Sequence, residues 1–328
     1  MSPTAVLFIS IIAAAIPALF YVALIYWVDR YEKEPLWLLI TAFFWGAIPS
    51  ILIAFIFNTL FSLPIYLLAG DVTGDALAAT LIAPPVEESI KGLMVLGIFF
   101  LWRHEIDSPL DGIIYGAMVG MGFAMVENVY YFVNVFGEGG LEAWGMNVFI
   151  RAVIFGLNHA LFTGVTGLGV ALARMTPNQV ARLVLPIAGW VTAMFLHFLH
   201  NASVSFSSAL CFLALLSDWG GVFLVILIIV WALWQERQWL RKYLAEEVQL
   251  GTLTVSQYKL AVSGRQRSRT LFHTLTSQGL GAYGRNRRFF QRCSELAYKK
   301  HHLTLFATKK NRLLVDKARE ALLDMVNI

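Results

Sequence analysis

The stretch Ala83-Pro84-Pro85-Val86-Glu87-Glu88-Ser89-Ile90-Lys91, flanked by the apolar runs 77–82 and 92–102, decides what kind of chain this is. It sets three ionisable side chains inside a segment otherwise apolar enough to cross a bilayer, where each costs roughly 2.5–3.5 kcal/mol at mid-depth. Charged groups at that depth normally face the interior of a helix bundle and mark an ion path, a substrate path or a catalytic centre. On a helix, Glu87 and Glu88 both share a face with Lys91, so the lysine can neutralise one carboxylate and leave the other for chemistry. Pro84-Pro85 marks a helix break or a fresh start just ahead of the pair, because proline is tolerated only in a first turn. The plainer alternative is a structural Glu–Lys pair locking two helices together.

Outward from this stretch, the composition agrees with it. The chain is 58% hydrophobic and 14% charged, which excludes an ordinary soluble globular protein. Apolar runs near 5–27, 37–62, 76–102, 111–136, 147–173, 183–209 and 219–235 predict an all-α polytopic membrane bundle of about seven spans. The first run lacks a basic flank and is too long for a signal-peptide core, so it is expected to be retained. Cys211 and Cys293 make no disulfide framework. Lysine and arginine fall in every second connection (Arg30 and Lys33, Arg103, Arg174 and Arg182) and again in the tail, which predicts an outside N-terminus and a cytoplasmic C-terminus.

The predicted division is a membrane domain over 1–235 and a small helical basic domain over 236–328, with amphipathic helices at 236–248, 255–262 and 289–326. Arg265, Arg267, Arg269, Arg285, Arg287, Arg288, Lys299 and Lys300 suit contact with anionic lipid; no nucleic-acid motif is present and no nucleic acid is expected. Residues 29–35 are expected to form a solvated loop and Leu63–Gly70 an external loop or re-entrant turn.

Further polar groups lie deep in the spans. Gly116, Gly120 and Gly122 predict a close helix contact, after which come Glu127 and Asn128. Arg151 is expected near the outer end of the next run, with Asn158 and His159 at its middle. His197 and Asn201 share one face of the following helix and are expected to point inward, whereas His200 is turned roughly 60° aside and is expected to pack. Counted at about 1.5 Å per residue, Glu87, Glu88, Glu127, His159 and His197 reach one level near mid-membrane, as a single polar chamber requires.

In their order, Glu87-Glu88-x-x-Lys91, Phe123-x-x-x-Glu127-Asn128, the Asn158-His159 region and His197-x-x-x-Asn201 resemble the PrsW family of intramembrane proteases, related to the CAAX prenyl endopeptidase and Abi group. The 29–35 turn also resembles that family. His200 is extra beside the last motif, and the tail falls outside the family core. The resemblance implies hydrolysis of a peptide bond in a membrane-anchored protein substrate, as in site-1 cleavage of an anti-sigma factor.

The residues fit hydrolysis on their own terms. A carboxylate buried beside a like charge can serve as general base on water. Glu87 or Glu88 is the expected base, with Lys91 and Asn128 supporting. His159 and His197 would position water or bind a metal, Glu127 would orient a histidine or act as a ligand, and the Asn201 amide would donate to the oxyanion. The absence of a His-Glu-x-x-His helix favours metal-free glutamate catalysis, and zinc stays open as the alternative, with His159, His197, Glu88 and Glu127 as its ligands. An ion-coupled transporter and a non-catalytic scaffold displaying its tail are the rival classes.

Overall fold

A computed structural model of the chain describes residues 1–206 and 211–326; these are helical almost throughout, with no strand among them. Eleven α-helices follow in order: α1 Pro3–Val28, α2 Leu36–Trp45, α3 Ile51–Leu77, α4 Ala83–Leu101, α5 Pro109–Val148, α6 Asn158–Met175, α7 Gln179–Phe206, α8 Cys211–Gln249, α9 Val255–Ala261, α10 Gly264–Leu305 and α11 Lys309–Val326. π-helical turns at Gly46–Ser50, which holds Pro49, and Ala78–Ile82 join α2 to α3 and α3 to α4 without a loop, and a third at Phe149–Ile154 extends α5 to a short turn at 155–157.

Among the described residues, five helical tracts are long and apolar enough to cross a membrane. Two of these run 66 and 67 residues, roughly 100 Å at 1.5 Å per residue and about three times a hydrocarbon core, so neither can be a single crossing. Each breaks at one glycine with positive φ, Gly70 at 73° and Gly140 at 69°, and cut there the tracts make seven rods. This corrects the loop expected at Leu63–Gly70: the helix continues through Pro64 to a single-residue break. A helix satisfies its own backbone polar groups and glycine alone takes φ > 0 without strain, so a one-residue break exposes the least backbone near lipid.

By packing, the chain divides into two compact units: Met1–Val28, Pro35–Arg174 and Val180–Leu227 form one, and Asp29–Glu34, Met175–Gln179 and Ile228–Ile328 the other. In the first, α5 is the central helix, and its glycines are why. A Cβ added at Gly112, Gly116 or Gly120 would lie 2.2, 2.2 and 2.1 Å from the α6 carbonyl oxygens of Gly167, Thr163 and His159. On another face, one at Gly122 would lie 1.9 Å from the Phe43 oxygen of α2. The glycine pattern thus brings two backbones against α5, as small residues do in bilayers. Large apolar side chains such as Phe20, Leu52, Phe100 and Phe223 point outward, as lipid-facing groups should.

The second unit has its own core, built from Trp239, Leu240, Tyr243, Leu244, Cys293, Leu296 and Leu322, with Tyr31 among them. The 29–35 turn is therefore not a solvated loop. Asp29 and Glu34 are buried, and the Tyr31 carbonyl accepts from Arg267 Nη1 at 2.8 Å and Ser294 Oγ at 2.6 Å. Burial pushes the Asp29 carboxyl up to about 7, against the pull of Lys33. Burial likewise pushes the Cys293 thiol up to about 12. The helices expected in this region also change: 236–248 is the end of α8, helix begins again at Gly264, and 289–326 is two helices parted at Phe306.

Candidate active site

The π-turn Ala78–Ile82 leads into α4, whose Pro84 and Pro85 sit in the first turn, where a missing N–H leaves no bond unmade. Asn201 Nδ2 of α7 donates to the Ala79 carbonyl of that turn at 2.8 Å. Trp45 Nε1 donates to the Ile90 carbonyl at 3.1 Å and Trp190 Nε1 to Ser89 Oγ at 3.2 Å, so α4 is held on two sides. This orientation buries Glu87, Glu88 and Lys91, the last two completely.

Lys91 forms an ion pair with Glu88 Oε1. Its Nζ also lies 3.2 Å from His159 Nδ1, 3.9 Å from Glu87 Oε2 and 4.3 Å from the centre of the Phe123 ring. Glu88 accepts from Thr163 Oγ1 at 3.0 Å through its other oxygen, and its Oε1 is 3.0 Å from His197 Nδ1. Glu127 has Oε2 2.6 Å from Arg151 Nη2 and 3.0 Å from His159 Nε2. Arg151 donates from Nε to Asn128 Oδ1 at 3.0 Å and lies 3.8 Å over the Tyr131 ring.

These contacts set the ring protons. A carboxylate only accepts, so His197 donates from Nδ1 to Glu88 and His159 from Nε2 to Glu127. In neutral rings the lone pairs then lie on His197 Nε2 and His159 Nδ1. Glu87 is placed differently from its neighbour: Oε1 has only the Asn58 amide, at 3.3 Å, and Oε2 is buried with no hydrogen-bond partner, 3.9 Å from His197 Nε2. One ligand atom each from Glu87, His159 and His197 lies within 4.8 Å of the others. Phe162 of α6 closes one wall, its ring stacked on His197 with centroids 5.0 Å apart.

Glu87, Glu88, Glu127, His159, His197 and Lys91 thus meet in one buried cluster of the first unit, with Asn128 joined through Arg151 and Asn201 at the π-turn leading in. The carboxylate grouped with both imidazoles is Glu87; Glu88 and Glu127, named with them as ligands from the sequence, hold the far ring nitrogens instead. Sequence reading gave Arg151 and Thr163 no part in the site and did not single out Asn58. Arg151 carried a usable signal, an unneutralised cation in an apolar run, whereas one threonine or amide in such a run carries almost none. His200 stands apart, 2.6 Å from Asp218. Asp218, which the predicted runs 183–209 and 219–235 leave between spans, is buried inside α8, because that helix starts at Cys211.

A family model described as PrsW family intramembrane metalloprotease matches residues 34–234, more than half of the chain. The chain belongs to the PrsW family. Protease PrsW of Geobacillus kaustophilus (strain HTA426) is 30% identical over 190 residues, covering 57% of this chain and 76% of the relative. Protease PrsW of Bacillus subtilis (strain 168) is 28% identical over 225 residues, 68% of this chain and 91% of the relative. No solved structure matches the chain. The PrsW match takes in every residue of the cluster and ends before most of the second unit, so this chain is an intramembrane protease with a further helical region.

Proposed function

We propose that this PrsW-family protease hydrolyses its substrate at a divalent-metal centre held by Glu87, His159 and His197. The observation that supports this most is Glu87, grouped with His159 and His197 and carrying an oxygen without a hydrogen-bond partner 3.9 Å from His197 Nε2, while one nitrogen of each ring is fixed by another carboxylate. That is the usual support for metal-ligating histidines, and two histidines with one carboxylate make a common catalytic zinc set. The charges agree. Among the described residues, the three carboxylates Glu87, Glu88 and Glu127 share two ion-pairing lysine or arginine side chains, Lys91 and Arg151, and a divalent cation would supply the missing positive charge.

Bound there, a zinc ion would ionise a water at neutral pH and polarise the scissile carbonyl. Glu87 Oε1, held only by the Asn58 amide, takes the proton the attacking water gives up and returns it to the departing amine nitrogen. Glu88 and Glu127 fix the imidazole tautomers, and Lys91 and Arg151 neutralise them in turn. Lys91 Nζ shares the His159 lone pair, so ligation there needs Nζ to withdraw toward Glu88. Asn201 holds the π-turn with one N–H and keeps the other for the oxyanion.

The same proposal takes the seven rods as seven crossings with the N-terminus outside and the C-terminus cytoplasmic. It divides the chain into a protease domain over 1–235 and a tail domain over 236–328 whose arginines contact anionic lipid. The substrate is a single-span membrane-anchored protein, of the anti-sigma-factor class that the family resemblance implies. Its test is cleavage of a single-span reporter by the purified chain. Activity is expected to vanish with a strong chelator, return with zinc, and stay absent in Glu87→Gln. Chelator-resistant cleavage would overturn the metal reading, and full turnover in Glu87→Gln would overturn the assignment of Glu87.

A further inference from the structure

A second polar cluster takes no part in the chemistry above. Asp218 of α8 has Oδ2 2.6 Å from His200 Nδ1 on α7 and 2.9 Å from Asn158 Nδ2 at the start of α6. A carboxylate only accepts, so Asn158 Nδ2 and His200 Nδ1, themselves 3.0 Å apart, both give protons to one oxygen. Asp218 and Asn158 are almost wholly buried, in a helix and a setting where an ionisable group is costly without a purpose. Three helices are therefore tied at a single atom.

The tie stands beside both imidazoles of the site. Asn158 immediately precedes His159, and His200 lies one turn beyond His197 on α7. Phe162 stands between the layers, 5.0 Å from the His197 ring and 6.4 Å from the His200 ring. Packing is incomplete on one side of the tie: a cavity of about 40 Å³, lined in part by Tyr21, Leu157, Asn158, Asp218 and Trp219, lies against it, although Leu161, Phe162 and Ala193 pack nearby. Such a space holds a few waters and resists a shift of α6 or α7 far less than close-packed side chains would.

We infer that Asp218, acting through Asn158 and His200, is a positioning residue: it fixes how far apart and at what angle His159 and His197 face each other, now 5.2 Å and 87° between rings, and thereby sets the affinity of the centre for a divalent cation. The inference rests on the metal reading above. Its test titrates the full-length chain in detergent with Co²⁺, following visible absorption for ligand geometry and thermal unfolding for the fold. Asp218→Leu is expected to bind Co²⁺ about 10- to 100-fold more weakly, and Asp218→Asn, which keeps the size and one acceptor, several-fold more weakly with a changed spectrum, as for other residues that orient ligands. Both should unfold within a few degrees of the wild type.

Affinity within twofold of the wild type and an unchanged spectrum in folded Asp218→Asn would overturn the inference, even if Asp218→Leu does not fold. Weaker binding that appears only as the unfolding transition is lost would also overturn it, making the tie a folding element. A wild-type chain that takes up no Co²⁺ is a separate result, seen before any substitution, and removes the metal reading beneath it.

Discussion

Two buried charge networks, one in each unit, invite comparison. In the second, Glu247 is fully buried, and both its oxygens are taken: Oε1 by Lys300 Nζ at 2.8 Å and Arg319 Nη2 at 2.9 Å, Oε2 by Arg319 Nε at 2.9 Å. Lys300 in turn donates to the Tyr243 carbonyl at 3.0 Å. In the first unit Glu87 is just as hidden, yet one oxygen has a single long hydrogen bond and the other has none. Burial alone therefore does not mark a reactive carboxylate. What separates the two is whether the desolvation of the charge is offset by partners already in place.

The sharpest way to break this comparison is to neutralise each carboxylate. Glu87→Gln should lower reporter cleavage by about 10³-fold or more and, compared in metal-free protein, leave thermal unfolding nearly unchanged, since it removes a charge with few partners. Glu247→Gln should do the reverse: about 3–5 kcal/mol of lost stability in thermal unfolding, because Arg319 and Lys300 lose a partner, with cleavage per folded molecule within about threefold of the wild type. If the two variants behaved alike, the distinction would be void.

Glycine substitution sharpens the contrast with a smaller effect. Gly120→Ala drives a methyl group into the His159 carbonyl, 2.1 Å away, and should lower cleavage about tenfold and cost roughly 1–3 kcal/mol. Gly284→Ala in α10 meets nothing within 4 Å and should stabilise by about 0.5–1 kcal/mol, by the helix propensity of alanine. Parallel unfolding curves and reporter assays distinguish them.

The pH response of the second unit is a weaker effect again. His301 stacks on Trp239 with ring centres 4.0 Å apart, and burial, with Lys242 nearby, lowers its pKa to about 4. Between pH 6.5 and 4 the unfolded chain binds the proton that the folded one refuses, so stability is full above 6.5 and falls as pH drops through this window. The loss should be on the order of 1 kcal/mol after solvent screening, and His301→Gln should flatten it in unfolding curves taken across that range. Least visible of all, the Cys293 thiol, pushed up to about 12, should resist iodoacetamide in the native chain of a Cys211→Ser background and react only on unfolding.

Much of the first unit was legible because lipid makes polar residues conspicuous. Glu87, Glu88, Lys91, Glu127, His159 and His197 stood out against apolar runs, and their common depth placed them together before any coordinates did. The glycine spacing on α5 likewise announced a close helix contact, without saying that its partners are α6 and α2. The division of labour between Glu87 and Glu88 was not legible, since adjacent residues point about 100° apart on a helix and only the surrounding helices decide which meets an imidazole. In the second unit ordinary amphipathic patterns carry no such contrast. That is why the 29–35 turn passed for a solvated loop although its backbone carbonyls are held by Arg267, Ser294 and Gln291.

The most direct test of the metal centre is elemental analysis of zinc in the wild type and in Glu87→Gln, His159→Gln, His197→Gln and Glu247→Gln, purified side by side. About one equivalent per chain is expected in the wild type and in Glu247→Gln, and less than about a tenth of that in each of the other three. Zinc retained at wild-type level in those three, or a fully active wild type free of metal, would contradict the assignment of Glu87, His159 and His197 as one centre.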